Sequence, residues 1–147
     1  MSVWIWIAIA VVIVLVVLLI SLFVREKGKN KKSVTVKPKP DSANKIVFIT
    51  APQTIKAESV SAMITIQTQD VNGNPVKVAS STVITLSSSI GGIFSANGNG
   101  LPVITTVTVY AGTNSSNFYY KDSTKGNPII TAFTAGLEPG KQTETIN

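Results

Sequence analysis

Asp70, Asn72 and Asn74 place an oxygen-bearing side chain at every second residue of a Gly- and Pro-containing turn, the spacing with which calcium-binding loops begin. Asp122 could complete the set if its strand ended beside that turn. A calcium loop would continue to a bidentate Glu at a fixed distance, and none follows here, so the expected structure is a hairpin turn held by Asx-type hydrogen bonds, with no metal and no cofactor. Other chemistry is limited by composition. The chain has no His and no Cys, which removes the usual general base, the thiol nucleophile and the commonest zinc ligands. Its seven carboxylates are spread singly, with no pair spaced for glycosidase work. Gly91-Gly92 and Asn97-Gly98-Asn99-Gly100 lack the following helix that a phosphate loop needs. The expectation is a protein that is not an enzyme.

Two further positions could carry recognition. Tyr110 follows Thr106 and Thr108 in the same alternation, so its ring could stack on a carbohydrate or a protein surface while its hydroxyl stays wet. Tyr119 and Tyr120 are expected in structural roles, since a Tyr on a late strand of a sandwich often fixes a corner through its hydroxyl. Asn114-Ser115-Ser116 is a formal N-glycosylation acceptor in a turn, a glycan site at Asn114 if the module is exported.

These residues sit in a chain whose other features are segregated along its length. From Val3 to Val24 nearly every position is apolar and none is charged. At about 1.5 Å per residue such a run covers roughly 33 Å, enough to cross a hydrocarbon core of about 30 Å. A secretory signal would carry a basic leader and a small-residue cleavage site, and a core helix would show a 3.6-residue period; neither is present. Residues 1–24 are read as a retained transmembrane helix, with Trp4 and Trp6 at its interfacial end. Behind it, residues 25–44 form a basic Lys/Pro tether containing Arg25, Lys27, Lys29, Lys31, Lys32, Lys37 and Lys39. With Lys45 these eight cations, against Glu26 and Asp41, give +6, the net charge of the whole chain. From Ile46 onward five Lys balance five carboxylates. The basic isoelectric point therefore belongs to a juxtamembrane segment and is not a nucleic-acid signature.

Residues 45–147 read as one all-β domain. Ile46 to Ile49, Met63 to Gln69, Val83 to Leu86, Ile93-Phe94, Val103 to Tyr110, Asn117 to Lys121, Ile129 to Thr134 and Lys141 to Ile146 have β-branched or alternating character and are separated by Gly, Pro and Asn clusters. About seven antiparallel strands in a β-sandwich are expected. The Asp70 to Val76 turn, the Phe118-Tyr119-Tyr120-Lys121-Asp122 strand and the Pro128 to Ala132 strand resemble the Ig-like modules of bacterial and archaeal surface-layer and invasin-like proteins. That resemblance implies a structural, adhesive or protein-binding role, without catalysis.

Orientation is the point on which the sequence pulls two ways. Lys and Arg clustered after the span favour a cytoplasmic C-terminal module, whereas its Ser, Thr, Asn and Gly content suits a cell-surface domain. The expected function is a single-pass, membrane-anchored extracellular module that binds a protein partner or a second copy. The alternative is a cytoplasm-facing module whose tether binds anionic lipid or nucleic acid.

Overall fold

The computed structural model describes residues 42–147. The apolar run between Val3 and Val24 and the basic residues from Arg25 to Lys39 lie outside them, and among the described residues no helix is long and apolar enough to cross a membrane.

Strand character follows from the alternation. In ITIQTQ Ile64, Ile66 and Thr68 are buried and in SSNFYYK Phe118 and Tyr120 are, while the residues between them are not, which is the period of a strand with one face on a core. Among the described residues eleven strands form: β1 (Lys45–Phe48), β2 (Thr54–Ile55), β3 (Ile64–Gln69), β4 (Thr82–Ser88), β5 (Ile93–Ser95), β6 (Val103–Ile104), β7 (Thr106–Val109), β8 (Ser115–Lys121), β9 (Ile129–Phe133), β10 (Gly140–Thr143) and β11 (Thr145–Ile146). They make a five-stranded sheet in the order β1-β3-β8-β5-β6, a four-stranded sheet in the order β10-β9-β4-β7, and a separate pair β11-β2. All pairings in the two large sheets are antiparallel; β2 and β11 run parallel. The all-β, antiparallel sandwich expected from the sequence is what forms. Its strand order, 1-3-8-5 on one sheet and 10-9-4 on the other, corresponds to the ABED and GFC order of an immunoglobulin sandwich.

The core lies between the sheets. Ile46, Ile64, Ile66, Phe94, Phe118 and Tyr120 point inward from one sheet and meet Ile84, Leu86, Val107, Val109, Ile130 and Ala132 from the other. Phe118 is central: its ring meets Phe48 edge-on at 6.3 Å and Phe94 at 5.7 Å, geometries that place the positive edge of one ring on the negative face of another.

Three elements differ from the sequence reading. The run from Val103 to Tyr110 is not one strand. Val103 and Ile104 pair with β5, Thr105 crosses the sandwich, and Thr106 to Val109 pair with β4 in the other sheet. Its continuous alternation hides the crossing because both halves are strand; Val103 is consequently 53% exposed while Val107 and Val109 are buried. The last strand is likewise divided at Glu144 into β10 and β11. A short strand at Thr54-Ile55, too brief to alternate, pairs with β11.

Candidate functional site

The outer face of the four-stranded sheet is the surface best suited to recognition. Alternation on β4 sends Ile84 and Leu86 inward and Val83, Thr85 and Ser87 outward; on β9 it sends Ile130 and Ala132 inward and Ile129, Thr131 and Phe133 outward. Register then builds rows across the sheet. Phe133 lies opposite Thr85, which lies opposite Thr106; Val83 lies opposite Thr108; Thr131 lies between Ser87 and Lys141. Val83 is 55% exposed, Phe133 45% and Ile129 43%. Lys141 is the one charged side chain in these rows. A surface of β-branched side chains, hydroxyls and an aromatic ring, almost without charge, is suited to apolar and hydrogen-bonding contact and offers no site for a phosphate or a metal ion.

Tyr110 continues the alternation of β7 past Val109 and is 68% exposed. Its carbonyl accepts bonds from the Thr113 N–H at 2.9 Å and the Thr113 hydroxyl at 2.7 Å, which holds the turn while the ring remains free to make contacts. Asn114 ends that turn half-buried, and its carbonyl accepts from the Thr68 N–H at 2.8 Å.

The Asp70 turn satisfies itself. One carboxylate oxygen accepts the N–H groups of Asn72 and Asn74, each at 2.8 Å, and the other accepts the Asn74 amide at 3.0 Å. The Asn74 side-chain bond, its backbone N–H and those of Asn72 and Gly73 outweigh partial burial and hold the Asp70 carboxyl below its ordinary value of 3.8. Gly73, at φ +87°, supplies the left-handed step the reversal needs. Asp122 is not brought to the other three calcium candidates, which share one turn. Asp70 lies beyond the Ser115 end of the β3–β8 pair and Asp122 beyond its Lys121 end. They are separated by the seven-residue length of β8, roughly 23 Å at about 3.3 Å per residue. Among the described residues no group of three or more acidic, His or Cys side chains is placed to hold a metal ion.

Asp122 belongs instead to a buried corner. The Tyr120 hydroxyl lies 2.6 Å from its Oδ2, 2.8 Å from the Gly91 carbonyl and 2.9 Å from the Ser88 hydroxyl, and Oδ1 accepts the Thr124 N–H at 2.8 Å. Tyr120 has one proton to give, and the charged acceptor makes the stronger bond. Burial first, then the bond to Asp122, raises the Tyr120 hydroxyl well above its ordinary value of 10.0. Gly92, at φ +85°, is wedged under this ring: a Cβ there would lie 2.5 Å from the hydroxyl oxygen and 2.7 Å from the Lys121 carbonyl. The corner role expected of Tyr120 is thus realised. Its partner was visible in the sequence only as Asp122, two residues on and therefore on the same face of the chain.

Sequence reasoning missed a further buried carboxylate. Glu144 is fully buried; Oε2 accepts the Gln53 N–H at 2.5 Å and Oε1 the Gln142 amide at 2.6 Å. It ties the segment before β2 to the break between β10 and β11. Nothing in TETIN distinguishes this Glu from a solvated one: Gln142, two residues earlier, is a local partner, but the Gln53 N–H is supplied by tertiary structure.

No protein family matches the sequence, and no curated protein is similar to it. Solved structures do share its shape. A glycosyl hydrolase family 2 member from Bacteroides cellulosilyticus superposes with a TM-score of 0.55 at 18% identity over 74% of this chain and 15% of that one. A β-glycosidase from Bacteroides vulgatus gives 0.55 at 20% identity over 72% and 14%. The β-glucuronidase of Parabacteroides merdae gives 0.51 at 18% over 74% and 13%. The chain spans about one seventh of the length of these enzymes, so the likeness is to one β-sandwich portion of each. What these proteins share with the chain is the sandwich fold.

Proposed function

We propose that the chain is a single-pass membrane protein that displays one Ig-like sandwich on the outside of the cell and acts through protein contacts, in a structural or adhesive role. The observation that carries this reading is the outer face of the four-stranded sheet, where Val83, Ile129 and Phe133 are exposed with hydroxyl-bearing neighbours and a single charge. Such a face on a monomer is a contact surface. The apolar run before Val24 supports anchoring, and the basic tether, at about 3.1 Å per extended residue, gives the module reach above the bilayer. Likeness of the quoted strand and turn segments to surface-layer and invasin-like modules points the same way. Tyr110 adds an aromatic at the border of the face, where it suits a protein or a sugar.

A second reading has one observation in its favour: every excess cation follows the apolar run and none precedes it, the charge bias of a cytoplasmic C-terminal side. In that orientation the tether would bind anionic lipid. Protease added to intact cells separates the two. Digestion of the module from outside is expected; protection until lysis would sink the display reading and leave the cytoplasmic one.

A further inference from the structure

We propose that β7 is a self-pairing edge, through which two copies of this chain join their four-stranded sheets into one continuous sheet. Each large sheet ends in two edge strands, and three of the four are blocked. β1 spends the outward N–H of Ile46 on the Glu138 carbonyl at 2.9 Å and carries Lys45. β10 lies against β1 so closely that a Cβ on Gly140 would sit 2.7 Å from the Ile46 carbonyl oxygen. β6 is two residues long and follows Pro102. Short strands, charges, prolines and covering segments are how sheet edges are kept from pairing. β7, reading TVTV, is four residues long and carries no charge and no proline, and among the described residues no strand pairs with its outer side.

The geometry of β7 also fixes the register. The Leu86 N–H donates to the Thr105 carbonyl at 2.9 Å, and residues 84 and 107 are opposite each other. Thr105, Val107 and Val109 therefore turn their backbone groups toward β4, and Thr106 and Thr108 turn theirs outward. Antiparallel pairing of two copies about a two-fold axis at Val107 sets Thr106 of each opposite Thr108 of the other. Both are then hydrogen-bonded pairs, each exchanging two N–H···O bonds, with Thr side chains facing Thr side chains on the outer face. The patch that meets itself is uncharged, so no like-charge repulsion opposes the two-fold arrangement. An edge this short buries less than the roughly 1,000 Å² expected of a stable solution dimer. The second copy must therefore be held nearby, and for this the inference rests on membrane anchoring, on either side of the bilayer.

The chain contains no Cys, so Thr106→Cys and Thr108→Cys each introduce a sole thiol at an outward position. The two full-length variants are mixed in phosphatidylcholine vesicles and mildly oxidised. Opposed Cα atoms of a hydrogen-bonded pair are about 5.5 Å apart, within disulfide range. The mixed disulfide is expected at five-fold or more above the statistical two-to-one ratio over each like-with-like product. Adding Thr106→Lys to the Thr108→Cys chain, and Thr108→Lys to the Thr106→Cys chain, is expected to abolish that excess. Flotation of the chain with the vesicles tests anchoring separately. A statistical product ratio in both floated and unfloated fractions overturns the pairing whatever the flotation shows, and so does an excess that survives the Lys substitutions.

Discussion

Removing one oxygen atom, in Tyr120→Phe, tests the buried corner directly. The ring is fully buried, tilted against Phe94 with centroids 5.3 Å apart, and retains that packing in the variant. What is lost is the hydroxyl that meets Asp122 at 2.6 Å, Ser88 at 2.9 Å and the Gly91 carbonyl at 2.8 Å. A hydrogen bond to a charged group contributes about 1.5–3 kcal/mol, and a buried acceptor left without its donor costs about 1–3 kcal/mol. Asp122 is 3% exposed and keeps only the Thr124 N–H, so the sum is about 3 kcal/mol. For a domain of about a hundred residues this lowers Tm by roughly 12–24 °C. Urea and thermal unfolding of the full chain measure it, and the double-mutant cycle with Asp122→Asn should show about 1–3 kcal/mol of coupling. There is a matching pH signature. The folded state holds the Tyr120 proton more tightly than the unfolded state, whose Tyr ionises near 10.0. Stability from this group is complete below that value and falls as pH rises above it, because only the unfolded chain releases the proton there. Tyr120→Phe should lose that alkaline decline. A variant within about 0.5 kcal/mol of the parent, with the decline intact, would refute the corner as a stabilising unit.

Gly92→Ala should destabilise by roughly 2–5 kcal/mol, combining a left-handed backbone with a clash into Tyr120 and the Lys121 carbonyl, whereas Gly112→Ala, at φ +79° with nothing within 4 Å, should cost only about 1–2 kcal/mol; denaturant midpoints compare them. Glu144→Ala leaves the Gln53 N–H and the Gln142 amide without their acceptor and should cost about 3 kcal/mol, with faster amide exchange at Thr145 and Asn147 as the local readout. Because the folded state depresses the Asp70 carboxyl, its stabilisation is present above the ordinary value of 3.8 and is lost as pH falls below it; Asp70→Asn should flatten that acid limb in pH-dependent thermal melts. Phe133→Lys places a charge in the exposed face without touching the core. It should leave Tm unchanged while reducing, several-fold, the cross-linking of the full chain to the protein partners that the proposed surface role predicts.

Local chemistry made part of this molecule legible. The inward residues of β3 and β8 follow from alternation, the Asp70 turn from its Asx and Gly residues, and the exposure of Tyr110 from its parity with Thr106 and Thr108. Facts settled by partners distant in sequence were not legible. Thr105 gives no sign that the chain changes sheets there, since a strand that crosses and a strand that continues use the same β-branched residues. Asp122 looked available to a metal because its strand end could have lain near Asp70; antiparallel register puts it at the other end. Glu144 became structural only when the Gln53 N–H, ninety-one residues away, was folded onto it.

The parallel pair β2–β11 has a mechanical consequence. Thr145 N–H to the Gln53 carbonyl, Asn147 N–H to the Ile55 carbonyl and Ala57 N–H to the Asn147 carbonyl, at 2.9, 3.1 and 2.9 Å, join the first part of the module to its last. Tension applied between Gln53 and Asn147 pulls two parallel strands in opposite directions along their own axes. The three bonds are then sheared together and share the load, whereas an antiparallel terminal pair would peel one bond at a time. Tension along the axes of β2 and β11 therefore meets three bonds at once, where a force across the pair would meet them in turn.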